Sequence, residues 1–177
     1  FLGFAGSEFG QLLSASPAGA SVYAATGATS STASGRVSYG LRLHGPCASY
    51  DTACSAALAA CHAGLRALQL GECAAGLVAS VGLMLSPGAG VSFAVAGMTS
   101  ARGRSHTFDA RADGYARGEA CGAVTLRQGG AAAGVGVHGS SVRQDGRSAS
   151  LTAPSGQAQQ GLVVAALADA GCVADAL

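Results

Sequence analysis

The residue best placed to do covalent chemistry in this chain is Cys54, inside Tyr50-Asp51-Thr52-Ala53-Cys54-Ser55. Residues 46 to 52 read as a short extended segment. Residues 55 to 70 are rich in Ala and Leu without a Gly-Pro break, which predicts a helix. A thiol at that junction meets backbone N–H groups left unpaired by the first helical turn, and their positive potential favours the thiolate. The same N–H groups would stabilise the oxyanion formed when the thiolate attacks a carbonyl, provided a cavity beside the sulfur holds the substrate. On spacing alone the bland alternative, a packed core cysteine, is the stronger one, because free cysteine is among the most buried residue types.

Other chemistry-bearing groups are weaker. Cys47, Cys54 and Cys61 with His44 or His62 could be imagined around a metal, but their seven-residue spacings match no zinc pattern. His62 lies eight residues past Cys54, roughly 12 Å along a helix, too far to be its base, and reads as structural. In residues 101–119, Asp109, Asp113 and Glu119 alternate with Arg102, Arg104, Arg111 and Arg117. That is a solvated loop with self-cancelling charges, too sparse in carboxylates and too rich in arginine for a calcium cage.

The elements that must position Cys54 are bounded by composition. At 177 residues, 49% hydrophobic and 11% charged, the chain predicts one globular domain with a sizeable core. A net charge of +1 with no basic cluster argues against nucleic acid. Six cysteines without a C-x-x-C pair, and no secretory signal before them, imply a reducing, cytoplasmic setting. Residues 74–98 carry no charge and exceed the length of a membrane span, yet Pro87, three serines and several glycines fit strand, turn and short helix instead. The opening at Phe1 without methionine and the close on Asp175-Ala176-Leu177 read as an internal piece of something longer.

In chain order, residues 1–11 are a mixed apolar segment and 12–19 a turn region. Residues 22–26 predict a buried strand ending at Gly27. Residues 26–41, small with an occasional bulky side chain, permit a helix if closely packed and otherwise a Ser-Thr-Gly linker. The helix after Cys54 has apolar or small residues on almost every face, so it predicts full burial. Residues 74–84 predict a central parallel strand. Residues 121–127 and 134–142 predict two further strands joined across Gly129-Gly130, the boundary between two halves. Pro154-Ser155 introduces a helix to about Ala170, stopped by Gly171.

The wording GRVSYGLRLHGPCASYDTACSAALAACHAGLRALQLGEC, residues 35 to 73, closely resembles the active-site region of the β-ketoacyl synthase domains of modular polyketide synthases and fatty acid synthases. The FDA…ADGY.RGE wording within 101–119 and QDGRSASLTAPSG after Arg143 extend the resemblance over nearly the whole chain. It implies a thiolase-like α/β fold, a layered αβαβα core of two pseudo-repeated halves. Residues 1–128 would form the first half without its opening strand and helix, and 129–177 the start of the second. It implies that Cys54 carries the acyl chain as a thioester and that 101–119 cover the acyl pocket. The implied partners are an acyl carrier protein, acyl and malonyl-type thioesters and a second copy of the chain. No cofactor is bound, since substrates arrive on carrier phosphopantetheine.

The family's two catalytic histidines, one in a His-Gly-Thr-Gly-Thr motif and one in a later Gly-His pair, find no counterpart here. His138-Gly139-Ser140-Ser141 resembles the first but precedes QDGRS instead of following the last helix, and His44 and His106 fall at positions without a family role. Ala56 and Ala57 stand where serines are usual, Arg143 where asparagine is frequent, and Ala120 where glycine is common, which leaves fine substrate preference open. Three alternatives stay beside the resemblance. One is a non-catalytic dimerisation or carrier-docking module. Another is a hydrolase elbow at Cys54 or Ser55, weakened by Thr52 and Ala56 where glycines are wanted. The third is a coenzyme A thiolase of the same architecture.

Overall fold

The computed structural model of the protein describes residues 1–6, 8–129 and 135–172. The chain divides into two units, 1–126 and 127–177. The first is built on a four-stranded sheet of order β2-β1-β3-β4, from β1 (Leu2–Gly3), β2 (Ser49–Tyr50), β3 (Ala75–Gly82) and β4 (Ala120–Arg127). β1 runs parallel to both neighbours, with Gly3 opposite Tyr50 on one side and Ser80 on the other. Among its described residues this unit carries five α-helices: α1 (Glu8–Ser14), α2 (Ala24–Ala28), α3 (Ser30–Leu41), α4 (Ala56–Gln69) and α5 (Pro87–Val95).

α4 is the element that covers the sheet. Its buried residues, Ala56, Ala60, Gly64, Ala67 and Leu68, recur every three or four positions and so share one face. They are small, which lets the helix sit close: a Cβ on Gly64 would lie 3.0 Å from Val78 of β3, and one on Gly3 would lie 2.5 Å from the Ala56 carbonyl oxygen. The other faces are mostly half-buried, and Leu58 is 74% exposed. The predicted all-round burial of this helix is therefore one-sided.

The core is also smaller than composition suggests. The buried hydrophobic residues are Ala56, Ala60, Ala67, Leu68 and Val78, while many larger side chains lie exposed. Apolar content supplies the material for a core, but only layers on both faces of a sheet bury it.

α3 forms where the small-residue segment allowed it. It holds β2 through its buried Ser34, whose amide donates to Ser49 Oγ at 3.2 Å while Ser49 Oγ donates to Ser34 Oγ at 3.0 Å. The helix ends at Arg42 in the left-handed region, φ +54. The predicted strand at residues 22–26 is instead a turn at Val22-Tyr23, 87% and 75% exposed, leading into α2 from Ala24. Its alanines are strong helix formers and its bulky pair finds no sheet to join. α1 also extends three residues into the predicted turn region, to Ser14.

In the second unit α6 (Gly156–Asp169) matches the predicted helix. Ser155 Oγ caps it by accepting the Ala158 N–H at 3.3 Å, and the Asp145 carboxylate fixes that cap by accepting the Ser155 N–H at 2.8 Å. Gly171, φ +64, ends it as expected. Gly139 packs against the last turn, where a Cβ would lie 2.5 Å from the Ala170 nitrogen. The predicted strand at 134–142 does not form in its described part: residues 135–142 are irregular, with Val135, Val137 and Val142 exposed. Alternation of valine and glycine makes a strand only beside a partner. Gly130 and Gly134 lie outside the described residues.

Candidate functional site

The turn from β2 to α4 carries Cys54. Residues Ala53–Ser55 form one 3₁₀ turn running directly into α4, and Ala53, in front of the sulfur, adopts φ +53. For a residue with a Cβ the left-handed region costs on the order of 1 kcal/mol, and it is held only where the surroundings impose it. They do so here from two sides. The Asp51 carboxylate accepts the Ala53 N–H at 3.2 Å through one oxygen and the Gly6 N–H at 3.1 Å through the other. Ser55 Oγ folds back onto Thr52, donating towards its carbonyl oxygen at 2.9 Å and its hydroxyl at 2.8 Å. Cys54 stands exposed between these supports.

The expected free N–H groups at the helix start are partly used by the turn itself. Ser55 N–H donates to the Thr52 carbonyl at 3.3 Å and Ala56 N–H to the Ala53 carbonyl. A 3₁₀ turn ahead of the α-helix satisfies donors that a bare helix start leaves open. The best-formed cavity, about 250 Å³, is lined by Phe1, Ser34, Leu41, His44, Cys73 and Ala75 among others and does not include Cys54.

Two more carboxylates fix loops at the same end of the sheet. The loop following β3 donates its Leu85 and Ser86 N–H groups to Glu8 Oε2, at 2.6 and 2.7 Å, and its Met84 N–H to Glu119 Oε1 at 2.7 Å. Arg117 lies 4.9 Å from the centre of the Phe93 ring on α5. Asp51 was within reach of sequence reasoning, since an aspartate commonly accepts the N–H two residues on. Glu8 and Glu119 were not, because their partners lie 77 and 35 residues away.

The remaining candidates disperse. His62 sits half-buried on α4, His44 lines the cavity, and His138 belongs to the second unit. The loop 101–119 pairs its own charges: Arg111 grips Asp109 through two side-chain bonds of 2.9 and 2.7 Å, and Arg102 meets Asp113 at 3.3 Å. The Arg111 guanidinium holds the Asp109 carboxyl below the usual carboxylate range. Among the described residues no three His, Cys, Asp or Glu side chains gather as a metal site would require. All six cysteines are free thiols, and no described helix is long and apolar enough to cross a membrane. The hydroxyls of Ser34 and then Ser38 bring the exposed Cys47 thiol below its ordinary pKa, with Ser38 Oγ 3.4 Å from the sulfur.

Comparison with known proteins places this geometry. Residues 1–132 match the family model described as the β-ketoacyl synthase N-terminal domain. The chain is 39% identical, over 97% of its length, to the spectinabilin polyketide synthase system protein NorC of Streptomyces orinoci, and 44% identical, over 84%, to erythronolide synthase EryA3 of Saccharopolyspora erythraea. It spans 8% and 5% of those proteins. In three dimensions it resembles the ketosynthase from module 6 of the bacillaene synthase of Bacillus subtilis 168, with a TM-score of 0.81, 33% identity, and coverage of 97% of this chain and 29% of that one. The oxazolomycin ketosynthase domain OzmH KS7 of Streptomyces albus gives a TM-score of 0.81 at 28% identity, over 98% of this chain and 32% of that one. The sheet and helices described above are thus part of a thiolase-like α/β fold.

Proposed function

The chain belongs to the β-ketoacyl synthase family, and from that premise we propose that Cys54 is the nucleophile of a ketosynthase, loaded with an acyl group from an acyl carrier protein. The Cys54 thiolate attacks the carbonyl carbon of the acyl-phosphopantetheine thioester, giving a tetrahedral oxyanion. Collapse breaks the bond to the pantetheine sulfur, which leaves as a thiolate and takes up the proton that Cys54 gave to solvent. The product is an acyl-Cys54 thioester and a free carrier thiol.

In a complete domain a malonyl-type unit on the carrier then loses carbon dioxide. The resulting enolate attacks the acyl-Cys54 carbonyl, forming the carbon–carbon bond and releasing the Cys54 thiolate. The family's two histidines would stabilise the negative charge in that step. No His-Gly-Thr-Gly-Thr string occurs in these 177 residues, so loading is the half-reaction assigned to them. A reducing, cytoplasmic setting and a homodimeric domain without a resident cofactor complete the proposal.

The observation that carries it is the exposed sulfur on a strained strand-to-helix turn, in the stretch whose wording matches the family. Incubating the 177-residue chain with a hexanoyl thioester of N-acetylcysteamine, followed by peptide mapping, should place the acyl mass on Cys54. Label confined to other cysteines would refute the assignment. A second reading, a carrier-docking module without turnover, gains from the position of the 250 Å³ cavity away from Cys54. It requires a Cys54→Ala variant to bind carrier protein as the parent does, with no acyl label on the parent.

A further inference from the structure

We infer that Asp51 is a positioning residue for the reaction, its carboxylate holding the left-handed turn at Ala53 that presents the Cys54 sulfur. This rests on the reading of Cys54 as the nucleophile. β1 and β2 are parallel neighbours with Gly3 opposite Tyr50, so the loops leaving their C-terminal ends emerge side by side. Asp51 is the first residue after β2, and its two oxygens reach in opposite senses, back to Gly6 in the β1 loop at 3.1 Å and forward to Ala53 at 3.2 Å. Both N–H groups come from residues with positive φ, +60 at Gly6 and +53 at Ala53. A single carboxylate therefore sustains two unusual backbone conformations and fixes one against the other.

Beyond Cys54 the chain is pinned again, since the start of α4 is seated on Gly3 with no room for a Cβ. The sulfur lies between these anchors, and its direction depends on the turn between them. A carboxylate suits this bridge because it is acceptor on both oxygens. Asparagine has the same shape but one acceptor, and its amide group would point a donor at whichever N–H remained. Glycine at position 53, in contrast, enters the left-handed region without a steric penalty, so the turn asks less of the bridge to hold it.

The test uses the 177-residue chain with the same hexanoyl thioester, and the exposed Cys47 thiol as an internal reference read by iodoacetamide. D51N should slow acyl transfer to Cys54 about tenfold and leave Cys47 alkylation unchanged, with an unaltered far-ultraviolet spectrum. The D51N/A53G double variant should recover most of the lost rate. A parental rate in D51N would overturn the inference. So would equal slowing at Cys47 and Cys54, or a double variant no faster than D51N, because each makes Asp51 a general structural residue. If the parent chain takes no acyl label on Cys54, the nucleophile assignment itself fails, an outcome distinct from all of these.

Discussion

Replacing Gly3 by alanine is the sharpest test of how the site is seated. The added Cβ would lie 2.5 Å from the Ala56 carbonyl oxygen, 2.6 Å from its carbon and 2.8 Å from the Ala57 nitrogen. All three are backbone atoms of the first turn of α4, so no side-chain rotation relieves the clash. The closest approach is roughly 0.9 Å short of the 3.4 Å at which ordinary contact begins, and relief requires the start of α4 to lift from β1. Forcing a methyl group into a packed contact typically costs about 1–3 kcal/mol, and a clash with backbone alone belongs in the upper half of that range. Amide hydrogen exchange at Ala60 and Leu68 should accelerate roughly thirtyfold for about 2 kcal/mol. Acyl transfer to Cys54 should fall with it, because the 3₁₀ turn that carries the sulfur runs directly into the lifted helix. Gly35→Ala is the control, as it lies on α3 with nothing within 4 Å of the new methyl. Unchanged protection in Gly3→Ala would show that α4 is not seated on β1 at this point.

Two further outcomes follow from the carboxylate and thiol contacts. Glu8→Gln replaces a charged acceptor of two N–H groups by a neutral one, so exchange at Leu85 and Ser86 should rise by about tenfold while β4 stays protected; unaltered exchange would remove Glu8 as a latch on that loop. For Cys47, hydroxyl donors favour the thiolate and so lower the pKa, which places the midpoint of its alkylation–pH profile below that of an ordinary cysteine thiol. Ser38→Ala removes one donor and should move that midpoint upward, and a midpoint that stays fixed would mean that the 3.4 Å contact does not act on the sulfur.

What could be read from the sequence divides by the range of the forces involved. α4, β3, β4 and α6 were legible because their signals are local: an Ala-Leu run, uncharged apolar stretches, and Ser155 and Gly171 bounding the last helix. β1 was not, since two residues acquire strand character only from partners 47 and 77 positions away. The segment 22–26 went the wrong way for the related reason that Val22-Tyr23 resembles a strand until no sheet edge receives it. At the site, the position of the sulfur between β2 and α4 was legible. The left-handed Ala53, the bridge from Asp51 to Gly6 and the seating of Ala56 on Gly3 were not, because each depends on β1 lying beside β2.

That dependence constrains how the nucleophile turn forms. Neither Ala53 nor Asp51 has a local reason to adopt the observed arrangement with Gly6, since the Asp51 bond to Ala53 satisfies only half of the carboxylate. The turn is complete once β1 has paired with β2, and that pairing closes a loop of 46 residues between Gly3 and Tyr50. α3 lies within that loop and binds β2 through Ser34 and Ser49, so the strand that β1 pairs with is itself held by α3. Ser34 thus supports the Cys54 turn at second hand. Its loss should loosen the β1 pairing and the acyl-transfer rate together, whereas Asp51 is expected to affect the rate with the pairing intact.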